Sequence, residues 1–575
     1  MPPFNPSLTS RKILFILFLV LGVGRASAQS VLTVEPVFFH RDSVKHLLLI
    51  NAPLAQVNAQ VDTLKVIASG SQRYTLAHPV ASVNCQTAYQ VLAQNVVYTA
   101  YFTQVPVLHL RTRYKIVDAP SVYASLALAD TTGLLAQSAL GIEVRGGWSQ
   151  TYPKKSYELS LWADTTGAKS QDVSLLGMRS DNKWNLQAMY NDPLRLRLKL
   201  AHELWQDMSP LYYQAQEPNA KNSIALAYTE VFLNDSYQGI YTLTERIDRK
   251  QLKLKKYTTK IMGELYKGSD GNGGGVTFVR VPDANNLSTD WGGFEYKEPA
   301  EETNWAALHD FVSFVVNSSD TDFYSQYRSK FNLASAVDYY IFLNLMRATD
   351  NTGKNLYIAK YKPNEPYYYV PWDLDGVLGN DWQGLNVNIT NDLLSNGFYA
   401  RLMKDNAPDG FRATLSARWA QLRTSVLTSE GIVARLKEHS DYLLANQVYE
   451  REHLAWRDYQ YQAAQLAYPA EWLTRRLAYL DGVFIFTPSS SLATQTAASL
   501  ALFQLYPNPA SGSLRVAFGA GPFELSIQDL TGKTVVQKAL PGADNQLDIS
   551  SLPQGAYLVR VQNKTTAAVR KLLVR

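Results

Sequence analysis

The sequence predicts an α+β fold in several domains: a mixed central body between a small N-terminal β domain and a C-terminal β-sandwich. Three observations predict it. The chain has 575 residues, more than one hydrophobic core usually serves. Residues 29–104 and 502–575 carry short β-branched and aromatic runs separated by polar turns. Between them, strand-like alternation gives way to helical periods and back.

Composition narrows the class. Aromatic residues reach 12%, with 35 Tyr and 11 Trp, which favours β-rich domains with large cores. A net charge of +5 is too dilute over this length for nucleic acid to be the expected partner. Cys85 is the only cysteine, so no intrachain disulfide can form, and zinc fingers and iron–sulfur clusters are excluded. The 8 histidines show no HxxxH or HExxH spacing, which argues against a histidine-based zinc site.

The elements follow in order. Residues 1–28 read as a cleavable signal peptide: Arg11 and Lys12 precede the apolar run 13–23, and Ala26-Ser27-Ala28 places cleavage before Gln29. That run is about half of the ~20 residues that span a bilayer, so no transmembrane segment is expected after cleavage. Residues 29–104 predict a small β-sandwich. Strands are expected at 107–111, 141–146 and 155–162, then a helix over 192–208 opened by Asp192-Pro193. Strands 225–234 and 238–247 flank the turn pair Asn234-Asp235. A helix over 332–348 has Asn332 as its cap, and strands 356–361 and 367–374 follow. Residues 395–480 read as helical, 487–501 as a linker, and 502–575 as a small antiparallel sandwich.

The chemistry concentrates in residues 345–380. Asp350 lies in a loop after a helix, and Asn355 follows five residues later. A strand, a turn and a second strand then lead to Asp373-Leu374-Asp375-Gly376. Protein kinases use this order: a loop carboxylate beside the acceptor hydroxyl, an Asn, a hairpin, and a metal-binding Asp before Gly. Hard oxygen donors suit Mg²⁺. The same residues also read as a plain turn at 350–353 and as a structural Ca²⁺ or loop-capping site at Asp373 and Asp375. Upstream, 141–162 places a Gly-containing turn before Lys155 on a strand, as nucleotide phosphates require, with Lys155, Tyr157 and Leu159 on one face.

Several motifs, in order, resemble the spore-coat CotH kinase family, a set of atypical protein-kinase-like enzymes. They are EVRGGWSQTYPKKSYEL, KWNLQAMYNDPLRLRLKLAHEL, TEVFLNDSYQGIYTLTERID, ELYKG, DNTGKNLYIAKY and YYYVPWDLDGVLG. The resemblance implies an atypical protein-kinase-like domain over 105–486 that moves phosphoryl from ATP to Ser/Thr of a protein with Mg²⁺ or Mn²⁺. It implies that Lys155 contacts the ATP phosphates and that Asp350 orients or deprotonates the acceptor. Asn355 and Asp373 would hold the metal with Asp375 as helper, Glu245 would lie near the nucleotide, and Arg197 would support the site. The chain departs from the family at Gly146-Gly147-Trp148-Ser149 and at Leu198. A non-catalytic surface-binding protein on the same fold, and nucleotidyl transfer, stand as the alternative readings. Tyr506-Pro507-Asn508-Pro509, the turn at 529–533, Leu552 to Tyr557 and the basic terminus 571–575 resemble the C-terminal sorting domain of type IX secretion cargo. That resemblance implies the type IX machinery as a partner, passage through the periplasm, and a secreted or cell-surface destination.

Overall fold

The computed structural model describes residues 30–486, 503–518, 522–529, 532–542, 544–563 and 567–575. The expected signal peptide and linker lie outside the described residues. The chain is α+β and divides into two compact units, residues 30–405 with 414–485, and 406–413 with the described residues from 486 onward.

The first unit opens with seven strands between Val31 and Phe102. They hydrogen-bond into one mixed sheet in the order 31–33, 64–69, 72–80, 89–93, 96–102, 47–50, 39–42. This differs from the expected sandwich. Pairing of 31–33 with 64–69 and of 47–50 with 96–102 is parallel, which joins strands that alternation alone would assign to separate antiparallel layers.

A closed barrel follows, made by strands 133–145, 156–162, 183–187, 236–244, 226–233, 107–111 and 122–130 in that order. Its inward side chains, among them Leu126, Ile142, Leu159, Trp184 and Leu243, form one apolar core. Asn234 and Asp235 both adopt positive φ, 50° and 61°, the two-residue turn that suits a twisted hairpin. The expected helix at 192–208 begins later, at Arg197. Asp192 still caps, accepting from the backbone N–H groups of Leu194, Leu196 and Arg197, but Arg195 at φ 60° inserts a turn first.

A five-stranded antiparallel sheet comes next, in the order 290–291, 294–298, 264–268, 356–360, 367–371. Helix Leu333–Met346 packs on its last strand and is buried almost all round from Ala336 onward. Asn332 caps it by accepting from the Ser335 N–H at 2.9 Å, and Arg347 in the left-handed conformation ends it. Helices Ser429–Ala445, Val448–Ala455 and Ala467–Val483 complete the unit.

In the second unit, strands 503–506, 513–518 and 544–548 make one sheet. Strands 534–540, 523–528, 555–562 and 567–574 make another. Phe503, Leu514, Leu525, Val559 and Leu572 share a single core between them.

Candidate active site

A polar cavity of about 890 Å³ lies between the barrel and the five-stranded sheet, and Asp350, Asn355, Asp373 and Asp375 all line it. The hairpin 356–360/367–371 brings them together. Leu356 pairs with Pro371, and the Trp372 N–H donates to the Asn355 carbonyl at 2.9 Å, so Asn355 and Asp373 flank the hairpin's open end. Both adopt positive φ, 53° and 55°. Asn351, which reads in sequence as a turn residue, is the staple. Its amide nitrogen donates to the carbonyls of Asn355 at 2.5 Å and Trp372 at 2.9 Å, while its carbonyl accepts from Tyr339 Oη at 2.8 Å.

The loop is held from below by glycine packing. A Cβ on Gly353 would stand 2.4 Å from Thr277, and one on Gly273 would stand 2.2 Å from the Gly293 nitrogen, so the segment 270–277 seats directly under Asp350's turn.

The electrostatics divide the acids. Burial raises the Asp350 carboxyl above the usual carboxylate range; Lys354 opposes the rise and Asp373 adds to it. Asp375 is pushed up to about 8, chiefly by burial and next by the charge of Asp373, although Asn191 Nδ2 donates to it at 2.7 Å. Two carboxylates facing one buried space repel, and a divalent cation would relieve both burial and repulsion. Among the described residues no three His, Cys, Asp or Glu side chains converge on one point. A cation here would therefore draw on the Asn355 amide, phosphate oxygens and water for its other ligands.

The expected cation, Lys155, does not line the cavity. Its ammonium donates to the carbonyls of Gln150, at 2.6 Å, and Tyr152 in its own loop. The physical reason is that the strand begins only at Ser156, not at Lys155 as expected, and the side-chain alternation entering it turns Lys155 away from the cavity. Tyr157 and Leu159, on its face, belong to the barrel core, whereas Lys154, Ser156 and Glu158 line the cavity. Lys154 is fully buried: its ammonium meets Glu452 Oε1 at 2.6 Å, donates to the Ile240 carbonyl, and lies 4.5 Å from the Tyr241 ring centre. Burial pulls it down to about 7, against the pull of Glu452. Arg195 Nη2 reaches the same Glu452 oxygen at 3.0 Å, completing a buried Lys–Glu–Arg triad.

Two further cations face Asp373. Arg145 donates to Gln187 Oε1 at 2.5 Å and lies 5.7 Å from the Trp372 ring; Lys267 stands beside Glu295. Burial lowers both; the Asp373 charge holds Arg145 up, and Glu295 first, then Asp373, holds Lys267 up. The ELYKG segment contains Lys267, on a largely buried strand that also carries Glu264. Asn185 also lines the cavity, and its buried Oδ1 has no hydrogen-bond partner.

Glu245 and Arg197 are not at the cavity. Glu245 is buried and accepts from the Arg179 and Ala225 N–H groups, Lys221 Nζ and Gln251 Nε2. Arg197 closes a buried ion pair of 2.5 Å with Asp192 at the helix start. Both are structural in this arrangement. The glycine turn does line the cavity, with Gly146 at φ 107°, and carries Trp148, whose ring meets that of Trp382 at 5.2 Å edge-on.

Comparison with known proteins finds two family models in the chain. The family model described as CotH kinase protein matches residues 142–480, more than half of the chain. The model described as secretion system C-terminal sorting domain matches residues 504–575. No curated protein matches. Among solved structures, PorZ, a surface component of the type-IX secretion system of Porphyromonas gingivalis, is 20% identical over 14% of this chain and 12% of that chain, with a TM-score of 0.12. The twitchin kinase region from C. elegans is 10% identical over 85% of this chain and 96% of that chain, with a TM-score of 0.14. Scores this low bear no weight on the fold. The sorting domain marks a secreted cell-surface protein carried by the type IX machinery, and no helix among the described residues is long and apolar enough to cross a membrane. The chain belongs to the CotH kinase protein family.

Proposed function

We propose that the protein is a cell-surface phosphotransferase that moves the γ-phosphoryl of ATP to Ser or Thr hydroxyls of a protein, with Mg²⁺ or Mn²⁺. The observation that carries this reading is the meeting of Asp350, Asn355, Asp373 and Asp375 with Arg145, Lys154 and Lys267 in one cavity. A module that only binds a partner has no need of half-buried acids with raised proton affinity opposite several cations in one cavity. Asp373, Asp375 and Asn355 supply the hard oxygen donors that a Mg²⁺–triphosphate complex takes. Arg145 and Lys267 would neutralise phosphate oxygens where charge builds in the transfer. Asp350, half-buried with its proton affinity raised, suits a group that orients the acceptor hydroxyl and takes its proton.

The test is transfer from labelled ATP with Mg²⁺ to a generic basic protein. Transfer of the γ-label is expected, with a loss of about 10²-fold or more in Asp350→Ala while nucleotide binding persists. Transfer of the α-label instead would assign nucleotidylation. Absence of ATP binding in calorimetry would leave the surface-binding alternative.

A further inference from the structure

The N-terminal sheet meets the barrel through a buried layer that is polar as well as apolar. Leu47, Leu49 and Tyr101 of the sheet pack with Val107, Phe232 and Tyr237 of the barrel. Asp42 accepts from the Tyr237 N–H at 2.9 Å, and Lys45 Nζ donates to Ser236 Oγ at 2.9 Å. Just past the sheet's last-in-sequence strand, Thr103 Oγ donates to Glu230 Oε1 at 3.2 Å. Glu230 is wholly buried and also accepts from Tyr237 Oη at 2.6 Å.

The partner of Glu230 is Arg451. Its Nε donates to Glu230 Oε2 at 2.9 Å and its Nη2 to Oε1, and its guanidinium lies 5.2 Å from the centre of the Tyr101 ring. The Gln104 N–H donates to Asn446 Oδ1 at 2.7 Å, tying the segment that follows strand 96–102 to the approach of helix 448–455. Arg451 and Glu452 are consecutive on that short helix. One faces the sheet's layer; the other holds Lys154 at the cavity wall, pairs with Arg195 and accepts from the Ile240 N–H at 2.8 Å.

We infer that residues 30–104 are a positioning element of the active site: Tyr101 and Thr103 seat Arg451 on Glu230, and this fixes the helix whose next residue holds Lys154 at the cavity wall. The inference rests on the phosphotransferase reading for its effect on turnover, and on the ion pair alone for its effect on Lys154. Any displacement of Arg451 moves Glu452, because a single helical turn has no slack between neighbouring residues. Lys154 faces Glu452, Arg195, the Tyr241 ring and the Ile240 carbonyl. Of these only Glu452 carries the charge that opposes burial. Its retreat leaves the ammonium easier to deprotonate, so the pKa of Lys154 falls further.

The experiment uses full-length protein carrying Tyr101→Leu with Thr103→Val, and Thr103→Ser as the conservative variant. NMR titration of the lysine side chains, with Lys154→Arg for assignment, reads Lys154 directly and needs no nucleotide. The double variant is expected to lower the Lys154 pKa by about one unit, a tenfold change in the proton equilibrium, and Thr103→Ser to keep the wild-type value. In turnover, KM for ATP is expected to rise about tenfold and the alkaline limb of the pH–rate profile to move to lower pH. Leu76→Ala, in the sheet's own core, is expected to lower Tm and leave both readouts in place. A folded double variant with unchanged Lys154 titration overturns the inference, and so does an equal shift in Leu76→Ala. Loss of transfer in the wild type, with the titration result intact, overturns only the phosphotransferase reading.

Discussion

Gly239 shows how closely single residues are fitted around the triad. It adopts φ 84°, and a Cβ there would stand 2.0 Å from Glu452 Oε2. Gly239→Ala therefore meets both backbone strain and a buried carboxylate with nowhere to go. It is expected to cost about 2–4 kcal/mol in denaturant unfolding and to lower activity more than tenfold. Asn351→Ala tests the staple: losing its donor to the carbonyls of Asn355 and Trp372 should cost about 1–3 kcal/mol and reduce kcat more than KM for ATP, because the loop that slackens carries Asp350. Residue chemistry was partly legible in the sequence. That the acids at 350, 373 and 375 share one cavity was, because the hairpin between them is a local signal, although the same residues also read as a turn and a loop cap. The cations were not. Lys154 and Lys155 are adjacent and chemically identical, and only the direction each takes in the loop before strand 156–162 separates them. Arg195 and Arg197 pose the same problem, resolved by a left-handed residue that no local pattern announces.

At the scale of elements, hairpins and capped helices were readable because their signals are local: the Asn234-Asp235 turn and the Asn332 cap need nothing beyond a few neighbours. The N-terminal sheet was misread as a sandwich because its parallel pairs are set by distant partners. Where that sheet meets the barrel, His40 Nδ1 and His109 Nε2 stand 2.9 Å apart, His40 Nε2 meets Asn51 Oδ1 at 2.9 Å, and His109 stacks on Phe232. Burial lowers His40 to about 4 and His109 to about 3; Glu230 pulls the first up and Arg111 pushes the second down. Both rings are thus neutral when folded and take protons more readily when unfolded. Their contribution to stability is present above about pH 6.5 and is lost as pH falls through about 4. Thermal melts between pH 7 and 4.5 should show a fall in Tm that is shallower, by about 5 °C, in His40→Gln with His109→Gln than in the wild type.

For the whole molecule, the sorting domain and the first unit each have their own core, so removal of the sorting domain should separate destination from the proposed activity. A chain ending at residue 486 is expected to fold and bind nucleotide as the full chain does, yet to be absent from the cell surface when fractions are compared. Destination was the most legible property of the sequence, since it rests on short contiguous motifs at 506–509 and 552–557. Contacts between the two halves of the central body were the least legible, since they join residues hundreds of positions apart.

That separation has a temporal side. Lys154 and Glu452 are 298 positions apart, and Thr103 and Arg451 are 348 apart. A polypeptide emerging from the ribosome can complete its barrel strands and even its acidic loop before residue 452 exists. Until then Lys154 has no counter-charge, and burying it alone would be prohibitively costly. The cavity is therefore among the last features of the molecule to form. The Lys154 wall of the cavity is thus complete only once the segment carrying Glu452 has arrived.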